Sequence, residues 1–211
     1  KDTGVDWLGE IPAHWDVTAI KRYCLKITDG AHVSPETQNG IYPFVSTKDV
    51  GPSGIDFENC LRTSQSSYEM LEHHGCRPMV GDILFSKDGT IGRTVLVYED
   101  REFVVASSLI IIRPDPTQVD PTFLNLACQG VVVQKQVDRF VRGAGLPRLS
   151  ITNLLKVLIA MPPLKEQREI TADLLPRLHS LDRLIHEAEK AINLLQERRS
   201  ALISAAVTGK I

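Results

Sequence analysis

Hydrophobic positions change their period once along this chain, near residue 163. Before that point short apolar runs alternate with glycine, proline and aspartate turns; after it, large aliphatics recur at steps of four and three. GEIPAHWDVTAIKRYCLKITDG turns at Ile11-Pro12 and then carries an apolar stretch closed by Asp29-Gly30. IYPFVSTKDVG predicts a short strand entering a polar loop, and SSYEMLEHH a short helix closed by Gly75. GDILFSKDGTIGRTVLVYED predicts two strands, Ile83–Ser86 and Arg93–Tyr98, joined by the turn-rich KDGTIG. FVVASSLIIIRP predicts a third strand stopped by Pro114, and PTFLNLACQGVVVQKQVDRFVRG one helix from Pro121, with Gly143 beyond its end. GAGLPRLSITNLL is a polar loop leading to a one-turn helix, and KVLIAMPP a last strand ended by Pro162-Pro163. Strands mixed with short helices predict an α/β (α+β) globular body over 1–163.

Residues 164–211 form a second region with a helical pattern. Leu174, Leu178, Leu181, Ile185, Ala188, Ile192, Leu195, Arg199, Leu202 and Ala206 follow one another at alternating steps of four and three, a heptad seam of the coiled-coil type. Pro176 removes a backbone donor and crowds the carbonyl of Ala172, so a kink or break is expected there, with a clean helix over about 177–207. That helix would be roughly 46 Å long, against a diameter of about 40 Å for a body of this size. Its large aliphatics represent roughly 10–20 kcal/mol of burial as an upper bound. Folding back on the body is one way to bury them; pairing with another helix is the other. Arg199 at a core position would cost stability and set register.

Totals narrow the function without choosing it. The formal net charge is −2 and 43% of residues are hydrophobic, so any anion-binding surface must be a local patch. The four cysteines, Cys24, Cys60, Cys76 and Cys128, form no C-x-x-C pair. They predict a reducing, cytoplasmic setting, and no apolar run is long enough to span a membrane.

No catalytic constellation holds together. The chain lacks G-x-x-x-x-G-K-[ST], G-x-S-x-G and G-x-G-x-x-G, and no Lys has Asp or Glu two residues before it, as a metal-dependent nuclease would need. MPPL is not the catalytic tetrapeptide of a DNA methyltransferase. His73-His74-x-Cys76 has no second ligand pair and reads as a polar helix end. Basic residues gather at three places: Lys135, Arg139, Arg142 and Arg148 around Gly143-Ala144-Gly145; Lys87 and Arg93 on either side of a second glycine loop; and Lys48 in a third. Glycine loops let backbone N–H groups approach phosphates, and Arg can pair with guanine edges. A solvated charged face would show the same residues.

At these motifs the chain resembles the specificity subunit of type I restriction-modification systems. WLGEIPAHWDV is similar to that family's entry into a target recognition domain, and GDILFSKDGTIGRTVLV to its central glycine hairpin. GAGLPRLSITNLLKVLIAMPPLKEQREI, with P-P-L-x-E-Q as its most diagnostic piece, and ERRSALISAAVTGKI resemble the start and end of its conserved helix. The resemblance implies a DNA target recognition domain over 1–163 and a helical spacer and assembly region over 164–211. It implies that the chain reads one half of a bipartite site on double-stranded DNA and has no catalysis or cofactor of its own. A methyltransferase subunit would bring S-adenosylmethionine, and a nuclease/translocase subunit ATP and Mg. Family members carry two such domains and helices, so one domain and one helix correspond to half a subunit. The seam residues Leu174, Leu178, Leu181, Ile185, Ala188, Ile192, Leu195 and Leu202 would then meet a second specificity helix, in a longer chain or a homodimer. Ser46, Lys48, Lys87, Thr90, Arg93, Arg142 and Arg148 are the expected DNA-binding residues. Two rivals remain: a protein-interaction module that acts through its helix, and a lone nuclease.

Overall fold

The computed structural model describes residues 1–3, 8–37, 40–52, 54–141 and 147–210. The first half holds strands β1 (Asp16–Ala19), β2 (Cys24–Asp29), β3 (Tyr42–Val45), β4 (Val50–Gly51), β5 (Gly54–Ile55) and β6 (Leu61–Thr63), then helix α1 (Gln65–His73). There follow β7 (Ile83–Ser86), β8 (Thr94–Leu96), β9 (Val104–Val105) and β10 (Leu109–Pro114). Helices α2 (Pro121–Gln129), α3 (Val131–Val141) and α4 (Ile151–Leu154), strand β11 (Leu158–Met161) and helix α5 (Leu164–Val207) complete the chain. Two 3-10 turns, Ile20–Tyr23 and Thr47–Asp49, sit between strands. The whole is an α+β body with mixed sheets followed by one long helix.

The most apolar run, LIIIRP, becomes β10, an inner strand of the antiparallel sheet β2-β10-β7-β8. All four residues of β7 and Leu109 to Ile112 of β10 are buried, so both sheet faces are covered, which is why these strands read as continuous apolar runs rather than alternating ones. Leu84, Leu109 and Ile111 join Val45, Phe103 and Val105 in one cluster. A second sheet, β6-β3-β9, pairs β3 with β9 in parallel, and β1 pairs with β11 across nearly the whole body. Polar groups are used inside this body. Asp82, almost wholly buried, receives a two-pronged bond from Arg113 at 2.8 and 2.7 Å. The Gln136 amide stands in for a strand partner of Leu158, donating to its carbonyl and accepting from its N–H, both at 2.8 Å.

Four expectations are corrected. The single strand expected over FVVASSLIIIRP is two, because residues 106–108 turn and send β9 to β3 while β10 enters the other sheet. The single helix from Pro121 is α2 and α3, broken at Gly130, whose backbone is extended (φ −64°, ψ 146°). The strand expected over Arg93–Tyr98 contracts to Thr94–Leu96. Of the kink or break expected at Pro176, the break is absent, since the long helix is continuous over Leu164–Val207. Ala172 and Pro176 both face solvent, where water can take the unpaired carbonyl, so the cost stays local.

The chain divides into two units, Lys1–Arg168 and Glu169–Ile211. Within the first, Glu166 accepts from the Trp15 indole at 3.0 Å and meets His14 Nε2 at 2.7 Å. Its neighbour Gln167 accepts from the Asp120 N–H at 2.8 Å and donates to the Pro162 carbonyl at 2.9 Å. The E-Q of the P-P-L-x-E-Q segment is thus fastened by side-chain bonds on both residues.

Candidate nucleic-acid interface

One end of the four-stranded sheet is marked by Asp29, Ser86 and Leu109, which lie at neighbouring positions in the pairing register. Loops that are far apart in sequence meet there on the 106–108 turn. Ser108 is the junction. Its hydroxyl accepts from the Thr47 N–H at 3.1 Å, and its carbonyl accepts from the Thr47 hydroxyl and the Lys87 N–H, both at 3.0 Å. The Lys87 carbonyl in turn accepts from the Leu149 N–H at 2.8 Å. The 46–49 turn, the 87–93 hairpin loop and the segment at 148–149 are therefore one surface rather than three separate loops.

The hairpin loop is shaped by two devices. The Ser86 hydroxyl donates to the Thr90 carbonyl at 2.5 Å and accepts from the Arg93 N–H at 2.8 Å. Gly92 has φ 88°, and a Cβ on it would come within 2.2 Å of Gln134 Oε1, whose amide also donates to the Gly92 carbonyl at 2.9 Å. The positive φ is what favours glycine there.

The expected DNA-binding residues are distributed over this surface as follows. Lys48, Thr90, Arg93 and Arg148 are exposed on it. Ser46 is half-buried and spends both its N–H (2.8 Å) and its hydroxyl (2.7 Å) on Asp49, so it shapes the turn. Arg93 donates to the Val50 carbonyl at 3.3 Å, and the Arg148 guanidinium lies 3.5 Å from the Asp88 carboxylate. Arg142, with Gly143-Ala144-Gly145, lies outside the described residues. Lys87 is a correction. It is expected among the DNA-binding residues at the edge of a glycine loop, yet its side chain is only 5% exposed and its ammonium is bonded to Asp29. A buried ammonium demands such a partner, and the Lys87 charge is paired with Asp29. Sequence reasoning missed Ser108, Gln134 and the Asp29–His32 pair (His32 Nε2 to Asp29 Oδ2, 3.1 Å). Only the closing Asp29-Gly30 of the first segment signalled a turn there.

On the helix, Leu174 and Leu178 are half-buried and Ala188 is exposed. Leu181, Ile185, Ile192, Leu195 and Leu202 are each more than half exposed, Leu195 at 64%. The apolar band is wider than the expected seam, because Leu184, Leu194 and Ile203 are exposed beside it. The signal was legible in the sequence as Leu184, Ala191, Leu194 and Ala201, which follow one another at steps of seven, three and seven.

The remaining candidates do not converge. His73 and His74 are exposed while Cys76 is turned into the core. Among the described residues no group of three or more His, Cys, Asp or Glu side chains could hold a metal, and no helix is long and apolar enough to cross a membrane. All four thiols are free, and burial pushes those of Cys24 and Cys128 up to about 12.

Comparison with known proteins gives the family and the fold. Residues 16–194 match the family model described as the type I restriction modification DNA specificity domain. The chain is 27% identical over 208 residues to a protein of Methanocaldococcus jannaschii described as the type I restriction enzyme MjaX specificity subunit, covering 95% of this chain and 47% of that one. It is 23% identical over 166 residues to the type I restriction enzyme EcoBI specificity subunit of Escherichia coli, covering 77% of this chain and 34% of the relative. The crystal structure of the HsdS subunit from Thermoanaerobacter tengcongensis has the same fold, with TM-score 0.58 and 20% identity over 88% of this chain and 48% of that one. The chain thus spans about half the length, or less, of these relatives.

Proposed function

This chain belongs to the family of type I restriction-modification DNA specificity domains, and from that premise we propose that its loop surface reads one half of a bipartite site in duplex DNA. The observation that carries this reading is the gathering of the 46–49, 87–93 and 148–149 segments on Ser108 and Lys87, with Lys48, Thr90, Arg93 and Arg148 exposed on the shared surface. Cations that belong to separate loops in sequence become one patch, which supplies local positive potential on a chain whose net charge is −2. Side chains at the loop tips are free to meet base edges, while the hydrogen-bonded turns beneath hold them in place. Arg142, six residues before Arg148 in the sequence, is proposed as a further DNA contact.

The helix is the assembly element. An apolar band this exposed calls for a partner helix, and the family resemblance makes that partner a second specificity helix running antiparallel. That helix belongs either to a longer chain or to a second copy. In a homodimer the two reading surfaces are identical, so the target is an interrupted palindrome. The wider flank with Leu184 and Leu194 leaves apolar surface for a methyltransferase subunit even when the seam is filled. Catalysis belongs to that subunit, with S-adenosylmethionine, and to a nuclease/translocase subunit with ATP and Mg, in the cytoplasm. This chain supplies the address.

The test is duplex binding by the full chain as a function of salt. Phosphate contacts make affinity fall steeply as salt rises, and selection from a randomised duplex pool should return one enriched motif. A chain that binds no duplex at low salt but still self-associates would instead be a protein-interaction module.

A further inference from the structure

A buried ammonium, a shared carboxylate and an exposed imidazole form a line at the loop surface. Asp29 ends β2; its Oδ1 is bonded to Lys87, and its Oδ2 to His32 Nε2 at 3.1 Å. Lys87 is 5% exposed, Asp29 21% and His32 66%, so the line runs from the interior to solvent. Its outer end is fixed to the turn that gathers the other loops. Ala31 donates to the Val105 carbonyl at 2.7 Å, and a Cβ on Gly30 would come within 2.2 Å of the Ala106 carbonyl oxygen. Residues 30–32 therefore run hard against the 106–108 turn, and Lys87 is bonded to Ser108 through its N–H.

We propose that His32 is a base-contacting side chain on a fourth loop of the DNA surface, and that Asp29 and Lys87 are the residues that position it. The proposal rests on the reading of this end as DNA-facing. A carboxylate only accepts hydrogen bonds, so His32 Nε2 carries the donated hydrogen, and in the neutral ring Nδ1 is left as an acceptor. An acceptor at a loop tip matches the exocyclic amino groups that adenine and cytosine present in the major groove. Lys87 has a second effect. A bare carboxylate beside phosphates would repel DNA; pairing it with a buried ammonium lets Asp29 aim the imidazole without opposing the duplex.

The experiment uses the full chain, a motif selected from a randomised 30-base-pair duplex pool, and anisotropy titrations at several salt concentrations. His32→Ala should relax preference at one base pair, lowering discrimination there roughly fivefold to a hundredfold while leaving the salt slope unchanged. Lys87→Met should weaken binding to all duplexes, because Asp29 is left uncompensated. The double variant Lys87→Met with Asp29→Ala should restore general duplex binding to within about twofold of wild type, since no charge is left to repel phosphate, while the preference set by His32 is lost because no acceptor is left to aim the ring. That double variant replaces the pair with neutral groups, so it and His32→Ala decide the matter even if Lys87→Met alone unfolds. Retained preference in His32→Ala overturns the proposal. So does a folded double variant with weak duplex binding and a salt slope reduced by about one, which would make Lys87 itself a phosphate contact. Lys48→Ala and Arg93→Ala separate the two levels. If they weaken binding while His32→Ala changes nothing, only the His32 assignment falls; if none of the three changes binding, the DNA-facing reading falls with it.

Discussion

In the unit Lys1–Arg168, Leu109, Ile110 and Ile112 are wholly buried; in Glu169–Ile211, Leu181, Ile185 and Leu195 are each more than half exposed. The residue types are the same. What differs is how each region satisfies its backbone. A strand leaves its N–H and C=O groups unpaired until another strand arrives, so the body must collapse and bury its side chains to complete its ladders. A helix completes its hydrogen bonds within itself and can leave a whole apolar band open. The body buries its apolar residues itself, and the helix leaves a whole apolar band exposed.

The sharpest way to break this contrast is to delete one aliphatic or aromatic side chain from each region. Phe103→Ala removes a wholly buried ring from the main cluster and should cost about 3–5 kcal/mol in denaturant unfolding. Leu195→Ala should cost under about 0.5 kcal/mol in the unassociated chain. Equal losses would mean that the helix band is buried within the chain.

Charge on the band tests its use next. Leu181→Asp with Leu195→Asp places two unpaired carboxylates in any helix interface and should shift sedimentation at micromolar concentration to a smaller species. The unfolding midpoint of the body should stay within about 0.5 kcal/mol of wild type. Loss of folding instead of association would reverse the assignment of the band.

On the loop surface, Arg148→Ala should weaken duplex binding about equally for all sequences and reduce the salt slope by about one, with no change in stability because the side chain is exposed beside Asp88. The same substitution at Arg142 should behave alike if that residue shares the patch. Unchanged affinity in both variants would remove the segment from the interface.

The smallest effect is a pH effect on the body. His14, and then the Trp15 indole, hold the Glu166 carboxyl below its ordinary range. A lowered carboxylate contributes stability above its unfolded value and loses it as the pH falls through the folded one. The thermal midpoint should therefore drop on acidification below the ordinary carboxylate range, and less so in Glu166→Gln. An identical pH profile in the two proteins would show that the Glu166 bonds contribute nothing.

Much of this was legible in the sequence because it is written in local periodicity and punctuation. The steps of four and three from Leu174 to Ala206 mark a helix with one apolar side whatever surrounds it. GDILF and LIIIRP are strand-length and β-branched, and the motifs from GEIPAHW to P-P-L-x-E-Q carry the family. The misses share a cause as well. Gly130 breaks a helical pattern where Gln134 bonds back to the Cys128 carbonyl at 2.7 Å and to the Gly92 carbonyl, contacts no period encodes. The unbroken helix at Pro176 depends on a carbonyl that happens to face water.

By itself, the sequence determined the two-part organisation, the strand-rich body, the long helix with its open band, and the family to which the chain belongs. These follow from residues within a few positions of each other, where propensity and period act directly. Only the tertiary structure decided which loops share a surface and which lysine is spent inside it. Lys87 and Asp29 are 58 positions apart, as Thr47 and Ser108 are 61 apart. Whether a charge is free for DNA depends on burial, and burial depends on what the fold brings beside it.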